Sequence, residues 1–319
     1  MKPLTLIFMG TPVFALPALE KLYRSPHRLE AVITRPDSPK GRGRKLSLAP
    51  TAEWARQNEV EVVRPARMKD RSFLAWLEGK GPELIITVAF GRILPPEILD
   101  LPRLGCINLH ASYLPAYRGA APIHRAVMDG AQYSGVSVIK MTPELDAGDI
   151  IMQEKEFISD YDTAGTLHDR LAEKGAALLL KAVNALAAGT ARPVPQDHGR
   201  ATYAPPLQSD EERLDWKLGP VELHNRIRGL NPWPGAYTTF EGRRIKVWRS
   251  ARPDENEDGN RGEKPGTILE AGEDSLTVAT GNGGSLKLLE LQPAGKKQMD
   301  AGSFCCGYRI EPGRRLDGE

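Results

Sequence analysis

Residues 105–124 read GCINLHASYLPAYRGAAPIH. Residues 106–109 are a short apolar strand, with polar Asn108 and His110 standing two apart. Side chains at i and i+2 share one face of a strand. The amide and the imidazole are therefore expected to project together from the strand's C-terminal end, where open α/β sheets bind their ligands. A loop holding Pro115, Tyr117, Arg118 and Gly119 follows, and Pro122 stands where the first turn of a helix accepts it. An amide donor beside an imidazole suits carbonyl chemistry: the amide hydrogen-bonds a developing oxyanion and the imidazole moves a proton near neutral pH. An Asn or His at a strand end is also commonly just a satisfied polar group, and spacing alone leaves both readings open.

Working outward, residues 4–9 read as a buried strand and Gly10-Thr11-Pro12 as a turn. Residues 13–23 read as a helix, with Phe14, Leu19 and Leu22 near helical spacing. Strand, turn and helix open a βαβ unit. There is no GxGxxG fingerprint and no acidic ribose partner; taken alone, Gly10 is as readily a tight turn ahead of a helix. Further strands are expected at 29–34, 60–63, 84–90, 135–141 and 150–158, and helices at 52–58, 73–77, 123–129 and 163–188. The run LIITVAF at 84–90 suits a central parallel strand covered on both faces, and 150–158 an edge strand. Residues 190–210, with Pro193, Pro195, Pro205 and Pro206 and no periodicity, read as a linker. A helix at 221–229 is followed by five short strands, at 236–240, 244–248, 266–269, 275–280 and 285–291, which point to a small barrel of OB type. The expected fold class is α/β: an N-terminal Rossmann-like domain over residues 1–189 with a mostly parallel sheet, and a C-terminal OB-like β-barrel over residues 211–319.

A formal net charge of +2 over 319 residues excludes a generic polyanion binder. Three cysteines are too few for a disulfide framework, and none stands at metal-ligand spacing. A reducing compartment and no metal are expected. There is no signal-peptide pattern, and no apolar run approaches the roughly 20 residues a membrane span needs. A cytoplasmic monomer without membrane attachment is expected.

Local charge carries more information than the total. Residues 35–45, RPDSPKGRGRK, combine Arg35, Lys40, Arg42, Arg44 and Lys45 with two prolines and two glycines, which argues against regular structure. Charge runs are usually just solvated. Yet glycine beside arginine lets a backbone approach a polyanion while each cation meets a phosphate. From residue 207 onward acidic side chains slightly outnumber basic ones, but Arg243-Arg244 with Lys246, and Lys296-Lys297, form local basic patches. A groove lined by one sign binds RNA even on a near-neutral domain. Residues 254–261 read as a polar insertion loop. Residues 142–149, TPELDAGD, hold three carboxylates that by sequence alone are turn residues or helix caps.

Ser112-Tyr113-Leu114-Pro115 followed by Arg118-Gly119-Ala120-Ala121-Pro122-Ile123 resembles the folate-site signature of the methionyl-tRNA formyltransferase family. Gly10-Thr11-Pro12, the LDAGD element, Asn231-Pro232-Trp233-Pro234 and Pro293 to Lys297 resemble the family's elements too, so the likeness spans nearly the whole chain. It departs at Ala111, Tyr113, His124 and Arg92, none of which removes a catalytic group. The resemblance implies catalysis by Asn108, His110 and Asp146, the last placed beside the imidazole. It implies 10-formyltetrahydrofolate as the one-carbon donor, held by Phe90, Gly91, Ile93, Leu94, Ser112, Tyr113, Leu114 and Pro115. Initiator methionyl-tRNA is the implied acceptor, met by Gly10 at the cleft edge, by Lys40, Arg42, Arg44 and Lys45 on the basic loop, and by Arg243, Arg244, Lys246, Lys296 and Lys297. The alternatives are an amino-sugar nucleotide formyltransferase, a folate hydrolase with the same Asn, His and Asp, and an RNA-binding protein with an inert α/β domain.

Overall fold

Strand β1 (Thr5–Gly10) begins a sheet built in the computed structural model, which describes residues 2–36, 38–40, 45–253, 259 and 262–317. The strands that follow are β2 (Arg28–Ile33), β3 (Ser38–Lys40), β4 (Lys45–Ser47), β5 (Glu61–Val63), β6 (Leu84–Val88), β7 (Cys106–His110), β8 (Arg118–Gly119), β9 (Tyr133–Lys140), β10 (Ile150–Phe157) and β11 (Tyr203–Ala204). Seven of them form one sheet in the order β10-β9-β7-β6-β1-β2-β5. The pairs from β7 through to β5 are parallel, and β9 runs antiparallel to β7. All five residues of β6 are buried, as a strand covered on both faces requires. Each fully buried Leu, Ile or Val contributes about 1.5–3 kcal/mol. Helix α1 (Leu16–Tyr23) takes Pro17 in its first turn and buries Ala18, Leu19 and Leu22. From β1 the chain runs to β2 and β5 on one side and then returns to β6 and β7 on the other. The order reverses at β1/β6, which places a crevice at the carboxyl ends of those strands.

The basic stretch departs from expectation. Ser38–Lys40 and Lys45–Ser47 pair as an antiparallel ribbon, with Lys40 opposite Lys45. Pro39 is tolerated because each strand of a two-stranded ribbon is an edge. Arg42 and Arg44 lie outside the described residues, as does most of 254–261. Residues 190–205, expected as a linker, count with the first unit. Val194 bridges Ile150, and Tyr203–Ala204 pairs in parallel with Arg118–Gly119. Aperiodic, proline-bearing sequence hid this segment because its partners are backbone groups.

By contacts the chain divides into two units. The first comprises Met1–Pro122, Ser134–Phe157 and His168–Pro205; the second comprises Ile123–Tyr133, Ile158–Leu167 and Pro206–Glu319. The second unit holds β12 (Tyr237–Phe240), β13 (Arg243–Ser250), β14 (Ile268–Ala271), β15 (Leu276–Ala279), β16 (Ser285–Pro293) and β17 (Met299–Asp300). They pair antiparallel in the order β12-β13-β16-β15-β14, with β17 added on β16. Register shifts in β13 curl the sheet into an OB-like half-barrel rather than a closed barrel. Trp216, Leu223, Ile227, Val247, Leu288 and Phe304 pack its core, and Trp216 Nε1 donates to Thr238 Oγ1 at 3.0 Å.

Two arginines tie the earlier segments into this unit. Buried Arg228 donates from Nη1 to the carbonyls of Ser159 and Asp162, both at 3.1 Å. Arg125 forks onto Glu211, with Nη2–Oε2 at 2.9 Å. The hydrogen bond from Arg125 holds the Glu211 carboxyl below the usual carboxylate range. A carboxyl lowered in the folded state stabilises above its unfolded pKa of about 4.3, and that contribution is lost as pH falls through the folded value. Glu211→Gln is expected to cost about 1–2 kcal/mol at neutral pH. The difference should shrink as pH falls below about 4.3 and through the lowered folded value, in urea denaturation followed by tryptophan fluorescence. A difference that persists in acid would show that the ion pair is not its source.

Candidate active site

Asn108 and His110 stand on β7, where Thr87 and Val88 of β6 lie in register with Asn108 and Leu109. The buried Thr87 hydroxyl donates to Asn108 Oδ1 at 2.7 Å. That contact engages the carbonyl side of the amide. No described residue accepts from Nδ2, so its hydrogens remain available to a ligand. His110 is 6% exposed, and its Nε2 lies 2.9 Å from the carbonyl oxygen of Tyr117. A carbonyl only accepts, so Nε2 carries the hydrogen and Nδ1 is the ring nitrogen left for chemistry. Nδ1 faces Asp146 Oδ2 at 3.6 Å. This is longer than a hydrogen bond but within ion-pair reach of a protonated imidazole.

Asp146 sits in the left-handed region at φ 49°, and its Oδ2 accepts from the Gly119 N–H at 2.8 Å. Gly119 itself has φ 118°, and a Cβ there would lie 2.8 Å from the Ala204 carbonyl oxygen. Only glycine lets this amide reach the carboxylate while β8 pairs with β11. Two polar residues outside the expected set join the cluster. One is Thr87. The other is Gln196, whose Nε2 donates to the carbonyls of Asp146 at 2.8 Å and Gly148 at 2.7 Å. A threonine inside an apolar strand was the only sequence signal for the first. Gln196, in an aperiodic stretch, had none.

The residues expected to hold the donor fall in two places. Phe90–Leu94 leaves the end of β6 with Ala89 and Gly91 both at positive φ. Phe90 and Leu94 turn into the core, whereas Ile93 is 84% exposed and Gly91 is also exposed. Arg92 pins this segment by donating to the carbonyls of Pro65 and Ala66, both at 2.7 Å. Ser112 and Leu114 are fully buried, and Ser112 Oγ closes its own loop on the Ala116 carbonyl. Tyr113 packs on Gly135 beneath the Lys155 ammonium. With Leu114 and Pro115 it lines a cavity of about 570 Å³ whose lining does not include Asn108 or His110.

Among the residues expected to meet an acceptor, Gly10 is a packing position. A Cβ there would lie 2.7 Å from the Phe8 ring and 2.9 Å from the Val88 carbonyl. The ribbon carries Lys40 and Lys45 opposite one another. On β13, Ile245 and Val247 point into the core, so Arg244, Lys246 and Trp248 share the other face. Arg244 lies 3.6 Å from the centre of the Tyr237 ring, and Lys246 lies 4.9 Å from that of Trp248. Arg243, Lys296 and Lys297 are exposed. Arg244 and Lys246 are thus backed by aromatic rings, Arg244 also pairing with Glu212 at 2.8 Å and Lys246 donating to the Pro234 carbonyl at 2.8 Å.

The formyl transferase family matches residues 1–183, and the formyl transferase C-terminal domain matches residues 206–309. The methionyl-tRNA formyltransferase of Moorella thermoacetica is 50% identical over 98% of each chain. That of Bacillus subtilis is 43% identical over 97% of this chain and 96% of its own. Among solved structures, the sugar 3N-formyl transferase WlaRD superposes with a TM-score of 0.66 at 17% identity, over 93% of this chain and 100% of that one. HypX from Aquifex aeolicus in complex with tetrahydrofolic acid gives 0.62 at 17% identity, over 96% of this chain and 48% of that one. At such identities these two structures show the fold alone. With both family domains matched in order and full-length relatives at this identity, the chain belongs to the methionyl-tRNA formyltransferase family of formyl transferases.

Proposed function

We propose that the protein transfers a formyl group from 10-formyltetrahydrofolate to the α-amino group of methionine on initiator tRNA, as a cytoplasmic enzyme of translation initiation. The observation that carries the reading is the Asn108 amide, anchored through Oδ1 with its Nδ2 hydrogens unspent, next to an imidazole with only Nδ1 uncommitted. The donor lies along residues 90–94, where exposed Ile93 offers an apolar surface and the strained backbone offers amides. The RNA meets the basic ribbon and the cation-bearing face of β13.

The neutral acceptor amine attacks the formyl carbon. The oxyanion that forms takes a hydrogen bond from Asn108 Nδ2 and, with the imidazole protonated, one from His110 Nδ1. Asp146, directly or through a water, receives the proton that the attacking nitrogen sheds. Collapse breaks the bond between carbon and N10 and returns a proton to N10. Cys106 on the same strand takes no part. Burial pushes its thiol up to about 12, and Sγ donates to the Ile98 carbonyl. Cys106 therefore offers no thiolate at neutral pH to form a formyl thioester.

Offered 10-formyltetrahydrofolate with charged initiator tRNA, charged elongator tRNA and an amino-sugar nucleotide, the protein should formylate the initiator tRNA. A formylated sugar nucleotide, or no product, would contradict the assignment. Asn108→Ala should lower kcat by about 100- to 1,000-fold with donor KM nearly unchanged. Thr87→Val, which frees the amide to rotate, should lower kcat by about ten-fold; a normal kcat in both variants would remove the amide from the mechanism. Arg42→Ala should lower kcat/KM for tRNA by about ten-fold, about the worth of one phosphate contact, and leave donor binding intact. Equal loss of donor binding would reassign the loop.

A further inference from the structure

Residues 190–205 lie between the two matched family domains, yet one of their side chains reaches the candidate active site. Gln196 is 5% exposed, and all its polar capacity is directed. Nε2 donates to two carbonyls of the turn that carries the catalytic carboxylate, those of Asp146 and Gly148. Oε1 accepts twice from Arg118, from Nε at 3.1 Å and from Nη2 at 2.6 Å. Arg118 is 3% exposed and is a donor only, so the atom facing it must be Oε1. The guanidinium thereby fixes which end of the amide faces the turn.

That turn needs holding. Asp146 has positive φ, in the left-handed region that L side chains other than Asn and Asp rarely adopt. At Gly148 a Cβ would fall 1.9 Å from the Lys140 carbonyl, so the backbone is pressed against β9. Left alone, a carboxylate on such a turn has other conformations to relax into. We infer that Gln196, oriented by Arg118, is a positioning residue for the formyl-transfer reaction: it clamps the Asp146–Gly148 turn so that the carboxylate stays within reach of His110 Nδ1. This rests on the proposed activity.

Gln196→Glu tests it. The substituted side chain keeps the acceptor for Arg118, and adds charge attraction to it, but loses both donors to the turn. In the full-length protein the melting temperature should fall, because the new carboxylate oxygen faces two buried carbonyls that lose their donor, so the variants are assayed well below it. The kcat for formylation of methionyl-tRNA should fall by about 30-fold or more, with donor KM within about three-fold of wild type. A second readout needs no activity. The Gly119 amide bonds the Asp146 carboxylate, whereas its neighbours Arg118 and Ala120 donate to the carbonyls of Thr202 at 2.8 Å and Ala204 at 2.9 Å. Hydrogen exchange at Gly119 alone should accelerate by about ten-fold or more in Gln196→Glu and in Gln196→Met. Unchanged exchange at Gly119, or equal acceleration at all three amides, would overturn the positioning role, as would a kcat within three-fold of wild type. Should the wild type formylate none of its acceptors, the functional reading fails, and the exchange pattern still decides whether Gln196 holds Asp146.

Discussion

The hydrogen bond from His110 Nε2 to the Tyr117 carbonyl, 2.9 Å long, constrains the rest of the site. It commits one face of the imidazole to the protein and leaves Nδ1 as the sole ring atom for chemistry. The loop that follows β7 returns Tyr117 at positive φ to meet the ring, and its backbone is secured in turn by the Thr202 hydroxyl and by β11. The same return places the Gly119 amide on Asp146. One loop conformation thus sets the tautomer of the imidazole and the location of its carboxylate.

Around that constraint the site is assembled by small polar residues on rigid elements. Thr87, on the fully buried β6, orients the Asn108 amide from the neighbouring strand. Gln196 reaches the Asp146 turn from a segment outside both matched family domains. The Asn108 amide and the Asp146 turn are each held by a partner that is itself buried. Preorganisation of this kind makes a donor effective at an oxyanion, because little reorganisation remains when charge develops.

Much of the architecture was legible in the sequence because it is carried by side-chain patterning. LIITVAF announced a doubly covered strand, and the i, i+2 spacing of Asn108 and His110 announced a shared face. The five short strands of the second unit lie where alternation put them and curl into the expected OB-like sheet, although the bulges in β13 that curl it were invisible in composition. Asp146 was reached only through the family resemblance, since a separation of 36 residues from His110 carries no spacing rule. The ribbon at Ser38–Lys40 and Lys45–Ser47 was missed because proline and glycine masked a pairing made by backbone groups. Residues 190–205 were missed for the same reason, and Gln196 with them. Ser112 and Leu114 belong to a signature, yet their burial gives them a scaffolding place that a motif cannot reveal.

The central claim is geometric: the formyl oxygen of the donor meets Asn108 Nδ2, with His110 Nδ1 beside it. A crystal structure of the protein with 10-formylfolic acid, which carries its formyl group on N10, and without acceptor would test this directly. The account predicts a carbonyl oxygen roughly 2.7–3.1 Å from Asn108 Nδ2, with His110 Nε2 still on the Tyr117 carbonyl. A folate bound with its formyl group away from Asn108, or an imidazole turned to offer Nε2 instead, would contradict it.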